Sequence, residues 1–170
     1  SRILSRLLGR FRISVCLTAK EWIMIDEKRN GKSIWKVPMD VAKANKLCEN
    51  TLVSNLGIQI TNFGTDFLEG TMPIDDRTVQ PFRLLHGGAS CVLAESLGSI
   101  AAHCCLESGY QAVGQHIEAS HLRAVTQGQV LGRAMPIFIG RTSHAWRIEI
   151  FNDEGKLVCD SKLIVKIKKK

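Results

Sequence analysis

The 170-residue sequence contains no apolar stretch approaching the roughly 20 residues that cross a bilayer as a helix, so a helical integral membrane protein is not expected. Its six cysteines, Cys16, Cys48, Cys91, Cys104, Cys105 and Cys159, include no C-x-x-C pair and no repeated spacing, which argues against a zinc site or a disulfide framework. They read as reduced thiols of a cytoplasmic protein. Cys91, Cys104 and Cys105 lie in an apolar stretch, where cysteine behaves as a small hydrophobe. Three catalytic strings are also missing. Without G-x-S-x-G, H-E-x-x-H or G-x-x-x-x-G-K-[ST], the α/β-hydrolase, zinc-protease and P-loop readings have no anchor. Aromatic residues make up only 6% and are not interleaved with basic ones, so nucleic acid is not expected as a partner despite a net charge of +7.

That charge is concentrated at the ends. The first twenty residues carry Arg2, Arg6, Arg10, Arg12 and Lys20 with no acid, and the tail carries Lys166, Lys168, Lys169 and Lys170. Ile3, Leu4, Leu7, Leu8 and Phe11 fall at helical spacing between the arginines, a basic amphipathic pattern that suits a membrane-surface helix or an organellar targeting peptide. The reading preferred here is a non-native or mis-assigned leader, because Met24 offers a start further on. Residues 1–33 are therefore expected to form an extension, 34–167 the domain and 168–170 a lysine tail.

Along the domain, Val41, Ala44, Leu47 and Cys48 suit a short amphipathic helix over 38–49, with Asp40 at its start. The alternation of Leu56, Ile58 and Ile60 then predicts a strand, a turn at 62–66, and a second strand over 67–72 closed by Pro73. After a polar loop, Gly87 and Gly88 introduce the longest apolar segment, 89–106, whose length predicts a helix buried on most sides. Strands follow over 113–123, 129–135, 144–151 and 157–167. The order predicts an α+β fold, with an antiparallel sheet wrapped around a long central helix.

Between Arg83 and Glu107 there is one acid, Glu95, and no lysine or arginine. An ionised carboxylate in an apolar helix is costly unless paired, so Glu95 is either functional or rotated to an exposed or interface stripe near Arg123 or Ser99. Spacing does not separate these readings. The turn Leu85-His86-Gly87-Gly88 adds weight to function, since glycines at a helix start let a ligand approach unpaired N–H groups at the positive end of the helix dipole. Such groups stabilise the oxyanion of acyl transfer. The five histidines, His86, His103, His116, His121 and His144, are dispersed and as a group do not suggest a metal site.

The stretch Q-P-F-R-L-L-H-G-G-A-S-C-V-L-A-E-S-L-G-S, from Gln80 to Ser99, resembles the active-site segment of hotdog-fold acyl-CoA thioesterases of the 4-hydroxybenzoyl-CoA branch. Within that branch it is most similar to the 1,4-dihydroxy-2-naphthoyl-CoA thioesterases of menaquinone biosynthesis and their proofreading relatives, over Ile34 to Ile167. The resemblance implies a hotdog fold, hydrolysis of an aromatic acyl-CoA and no metal or nucleotide cofactor. It also implies a homo-oligomer, dimer or tetramer, whose site joins the glycine turn of one subunit to Glu95 of another. By the same resemblance Glu95 is the catalytic carboxylate, Gly87 N–H polarises the thioester carbonyl, and Gln80, His86 and Ser99 assist. Gly88 and Ile100 would line the substrate site, with CoA on His121, Arg123 and the Gly140-Arg141-Thr142 turn. Family members carry Ser-Arg where Arg141-Thr142 stands here. The alternatives are a proofreading thioesterase on aryl or acyl carrier proteins, a non-catalytic acyl-CoA-binding module, and a hotdog dehydratase, the last lacking its His/Asp arrangement.

Overall fold

Polar side chains start each helix of the domain by capturing backbone N–H groups that the first turn leaves unpaired. Asp40 accepts from Lys43 N to open α1 (Val41–Leu47), and Thr51 and Ser54 form a capping box at α2 (Leu52–Asn55). His86 does the same for the long α3 (Gly87–Cys104). The computed structural model describes residues 33–38 and 40–170, of which Ser33–Lys170 belong to one compact unit. The basic amphipathic pattern and nearly all of the expected extension lie outside the described residues.

Among the described residues six strands follow: β1 (Gln59–Phe63), β2 (Leu68–Pro73), β3 (Tyr110–His121), β4 (Gln129–Ile139), β5 (Ser143–Asn152) and β6 (Leu157–Lys169). They make one antiparallel sheet in the order β1-β2-β4-β5-β6-β3, which leaves β3 at an edge although it precedes β4 in the chain. The sheet packs one face on α3. Ala89, Leu93, Ala94, Leu97, Ala101 and Ala102 of the helix are buried against Trp146, Ile148 and Ile150 of β5 and Leu163 and Val165 of β6. Close approach depends on small residues. A Cβ at Gly70 or Gly132 would lie 2.8 or 2.6 Å from a Leu97 methyl, so these two strands give Leu97 its room.

Several expectations shift. Leu56 ends α2, a short helix the alternation concealed, and β1 begins only at Gln59. The long helix spans 87–104 rather than 89–106, because its glycines are already helical. β3 starts at Tyr110 and stops at His121. β4 continues to Ile139 rather than ending at Met135. Proline removes a ladder donor, which suggests a strand end at Pro136. Here the last β2 partner is Ala134, so Pro136 presents its donorless edge beyond β2 while still lying opposite Trp146 of β5.

Candidate active site

At the start of α3 the N–H groups are distributed unequally. His86 Nδ1 accepts from Gly88 N at 2.8 Å, and the His86 carbonyl accepts from Ala89 and Ser90. Gly88 was expected to face substrate, but its N–H is taken by this cap. Among the described residues the Gly87 N–H has no hydrogen-bond partner. It is the free donor of the turn, at the positive helix end. His86 is fixed from behind by its own N–H, which donates to Thr78 O at 2.8 Å.

Gly87 opens onto a cleft of about 330 Å³ that also gathers Gln80, Ser90, His121, Arg123 and Val158. His121 comes from the end of β3, and a Cβ at Gly87 would lie 2.7 Å from its Nε2, so only glycine leaves both the N–H and the imidazole in place. Gln80 uses its Oε1 within its own turn, accepting from Phe82 N at 2.6 Å, which leaves the amide NH₂ as the group it can offer a ligand. Gln80 and Gly87, expected at the reacting centre, thus share one cleft with His121 and Arg123, expected as coenzyme A contacts, whereas Ser99 and the 140–142 turn do not line it. Ser90, buried on the first turn of α3, is an addition that its neutral sequence context did not mark.

Glu95 lies eight residues further along α3, about 12 Å of helix rise from Gly87. In the single chain Glu95 is exposed, and among the described residues it makes no hydrogen bond or ion pair, with Arg123, Ser99 or any other group. Its carboxylate lies against β3, where a Cβ at Gly114 would be 2.6 Å from Oε1. Ser99, one turn on, is half-buried, and Ile100 packs on the core. Cys91, one turn back, is half-buried, and burial together with the Glu95 charge raises its thiol. Burial pushes Cys104 up to about 11 and Cys105 up to about 12, so these thiols stay protonated and serve as hydrophobes.

The Gly140-Arg141-Thr142 turn is placed elsewhere. Ile167 N donates to Thr142 O, whereas His121 pairs with Cys159, and the eight residue steps between Cys159 and Ile167 along β6 span about 26 Å. One chain therefore holds two separate groups. Gln80, Gly87, His121 and Arg123 lie at one end, and the Glu95 carboxylate lies at the Gly114–Val165 level of the sheet, close to the level of the turn. Gly114 itself was not singled out from sequence. A glycine inside a strand pattern was its one visible signal.

Comparison with known proteins decides what this geometry belongs to. The sequence profile of the thioesterase superfamily matches residues 82–159, which include Gly87, Glu95, His121 and Arg123. A proofreading thioesterase, EntH, of Cronobacter turicensis is 50% identical over 130 residues, covering 76% of this chain and 95% of that protein. The chain belongs to the thioesterase superfamily. A 1,4-dihydroxy-2-naphthoyl-CoA hydrolase of Escherichia coli is 45% identical over 134 residues, 79% of this thioesterase and 98% of that protein. The crystal structure of a thioesterase from Haemophilus influenzae superposes with a TM-score of 0.79 at 48% identity, covering 80% of this chain and 95% of that one. The thioesterase thus has the hotdog fold and is a thioester hydrolase. No helix among its described residues is long and apolar enough to cross a membrane.

Proposed function

We propose that this thioesterase hydrolyses an aromatic acyl-CoA at a site shared by two subunits, with Gly87 N–H holding the developing oxyanion and Glu95 of the other subunit driving attack. The observation that carries the reading is the separation along α3: the free Gly87 N–H and the residue bearing the exposed Glu95 carboxylate are about 12 Å of helix rise apart, and the carboxylate rests against Gly114 of β3 rather than in the Gly87 cleft, which supports partners from two chains. Two copies related by a twofold axis would place each group opposite its complement. His86 and Gln80 position the thioester from the Gly87 side, and Ser99 and Ile100 line the acyl side next to Glu95. Coenzyme A lies over His121 and Arg123, with Gly140, Arg141 and Thr142 contributed from the other subunit.

Two routes satisfy the atom balance. In one, a Glu95 oxygen attacks the thioester carbon, the C–S bond breaks, the thiolate leaves and water opens the mixed anhydride. In the other, Glu95 takes a proton from water, the hydroxide adds to the carbon, and the expelled thiolate receives the proton. In both, negative charge develops on the carbonyl oxygen facing Gly87. The name of the Escherichia coli relative favours 1,4-dihydroxy-2-naphthoyl-CoA, which would place the enzyme in menaquinone biosynthesis in the cytoplasm, as a dimer or tetramer. The EntH relative favours a second reading, proofreading of thioesters on an aryl or acyl carrier protein.

Glu95→Gln tests the core of this reading. It keeps the shape and removes the charge, so kcat on the best acyl-CoA falls by at least about 10²-fold, with KM changed less. Repeated turnover in ¹⁸O-labelled water leaves label in Glu95 only on the nucleophilic route. Near-normal turnover of the folded variant would overturn the assignment of Glu95, and no turnover by the wild type on any acyl-CoA would favour a binding module.

A further inference from the structure

Among the described glycines, Gly114 is unusual in what its missing side chain makes room for. It sits inside β3 opposite Val165 of β6, and its backbone is not in the positive-φ region that four other glycines occupy. Chain conformation therefore gives no reason for glycine here, and inside a strand glycine is less stable than alanine because it loses more backbone freedom on folding. A close approach gives the reason. An added Cβ would lie 2.6 Å from Glu95 Oε1 and 3.6 Å from Glu95 Cδ, with no other heavy atom from beyond its chain neighbours within 4 Å.

The pairing of β3 with β6 slips immediately afterwards, between Gly114 and His116. Bulges of this kind bend a strand and re-aim what faces it, and they occur at sheet edges beside sites. β3 is such an edge. On the helix side of β3, the neighbours of Gly114 are Ala112 and Ile117, which pack on the core and carry no charge. On α3 the titratable neighbour of Glu95 is Cys91. Among the described residues nothing ties the carboxylate down by a hydrogen bond or ion pair, so a bare stretch of backbone sets how far it settles towards β3.

We propose that Gly114 is a positioning residue for Glu95: by having no side chain it lets the carboxylate rest against β3 at the depth from which it reaches the thioester. The proposal rests on Glu95 being the reacting carboxylate. A methyl group at position 114 would drive Oε1 outward by about 0.8 Å before ordinary van der Waals contact at 3.4 Å is restored. The displaced atom is the end of a flexible side chain, so the fold yields easily while the geometry of attack does not. Misplacements of about 1 Å at a reacting group cost on the order of 10²-fold in rate.

Gly114→Ala and Gly114→Ser separate this role from a structural one. Both should keep or slightly raise Tm and leave the oligomeric mass unchanged. Both should lower kcat by about 10- to 100-fold on an acyl-CoA that the wild type turns over, with little change in KM. Wild-type kcat in both variants, beside an inactive Glu95→Gln, would overturn the positioning role and leave the catalytic reading intact. Unfolding or dissociation of Gly114→Ala would also overturn it, by showing that the glycine serves the backbone or the assembly. An active Glu95→Gln would remove the reading beneath both.

Discussion

His144 shows how one buried side chain ties stability to pH. It is 2% exposed on the helix-facing side of β5, and its Nδ1 has no hydrogen-bond partner. Burial holds its pKa below the ordinary 6.5, and the bond to the Gly140 backbone opposes this only in part. The folded state therefore binds fewer protons than the unfolded one below that value. Its contribution to stability is present above about pH 6.5 and is lost as pH falls through the lowered folded pKa. Glu149 acts in the opposite sense. Burial raises its pKa against the pull of Arg147, so its contribution is present below its unfolded value and lost as pH rises through the folded one. The histidine is isolated by substitution: His144→Phe should lose less Tm than wild type between pH 7.5 and pH 5, measured by thermal melts. An equal loss in both proteins would assign the acid sensitivity to other groups.

At the level of elements, the segment before α1 works as a clasp although it has no regular structure. Ile34 N donates to Thr65 O and Lys36 N to Cys104 O, so residues 34–36 join the β1–β2 turn to the end of α3. Trp35 lies between them. Its ring stacks on Trp146 at 6.4 Å and 4°, meets Phe63 edge-on at 5.8 Å, and donates Nε1–H to Gly64 O at 2.7 Å. Trp35→Ala should cost about 3 kcal/mol by urea denaturation, the lower end for a large aromatic because the ring is only partly buried. Trp35→Phe should lose nearer to about 1 kcal/mol, mainly the indole hydrogen bond. If the two cost the same, the hydrogen bond rather than the stacking would be the clasp.

For the whole molecule, the prediction concerns complementation. Subunits carrying Gly87→Val lose the room that His121 needs, since even a Cβ would lie 2.7 Å from its Nε2. Subunits carrying Glu95→Ala lose the carboxylate. Each is expected to be inactive alone. Mixed and allowed to exchange, they form dimers with one doubly damaged site and one intact site, so activity should return to roughly a quarter of wild type for random pairing of equal amounts. Native mass spectrometry establishes the exchange. Proven mixed dimers without activity would count against a shared site and require one chain to join groups roughly 12 Å of helix rise apart by itself.

What the sequence determined by itself was local in origin. Period-2 and period-3.6 patterns set the order of strands and helices, and the absence of other charge between Arg83 and Glu107 made Glu95 conspicuous before any coordinates. The glycine turn announced an open helix start for the same reason: residue chemistry and spacing are properties of a short window. Tertiary structure decided what those windows meet. A helical pattern shows that Glu95 differs from its neighbours, but only packing shows that its open side faces a bare stretch of β3. Pro136 reads as a strand end until the sheet order reveals that β2 has already stopped. His121 and Gly87, thirty-four positions apart, share a cleft because β3 runs to the sheet edge and returns beside the start of α3. Strand order and side-chain approach arise from contacts between distant segments, and the spacing of residues along the chain does not encode which segments will touch.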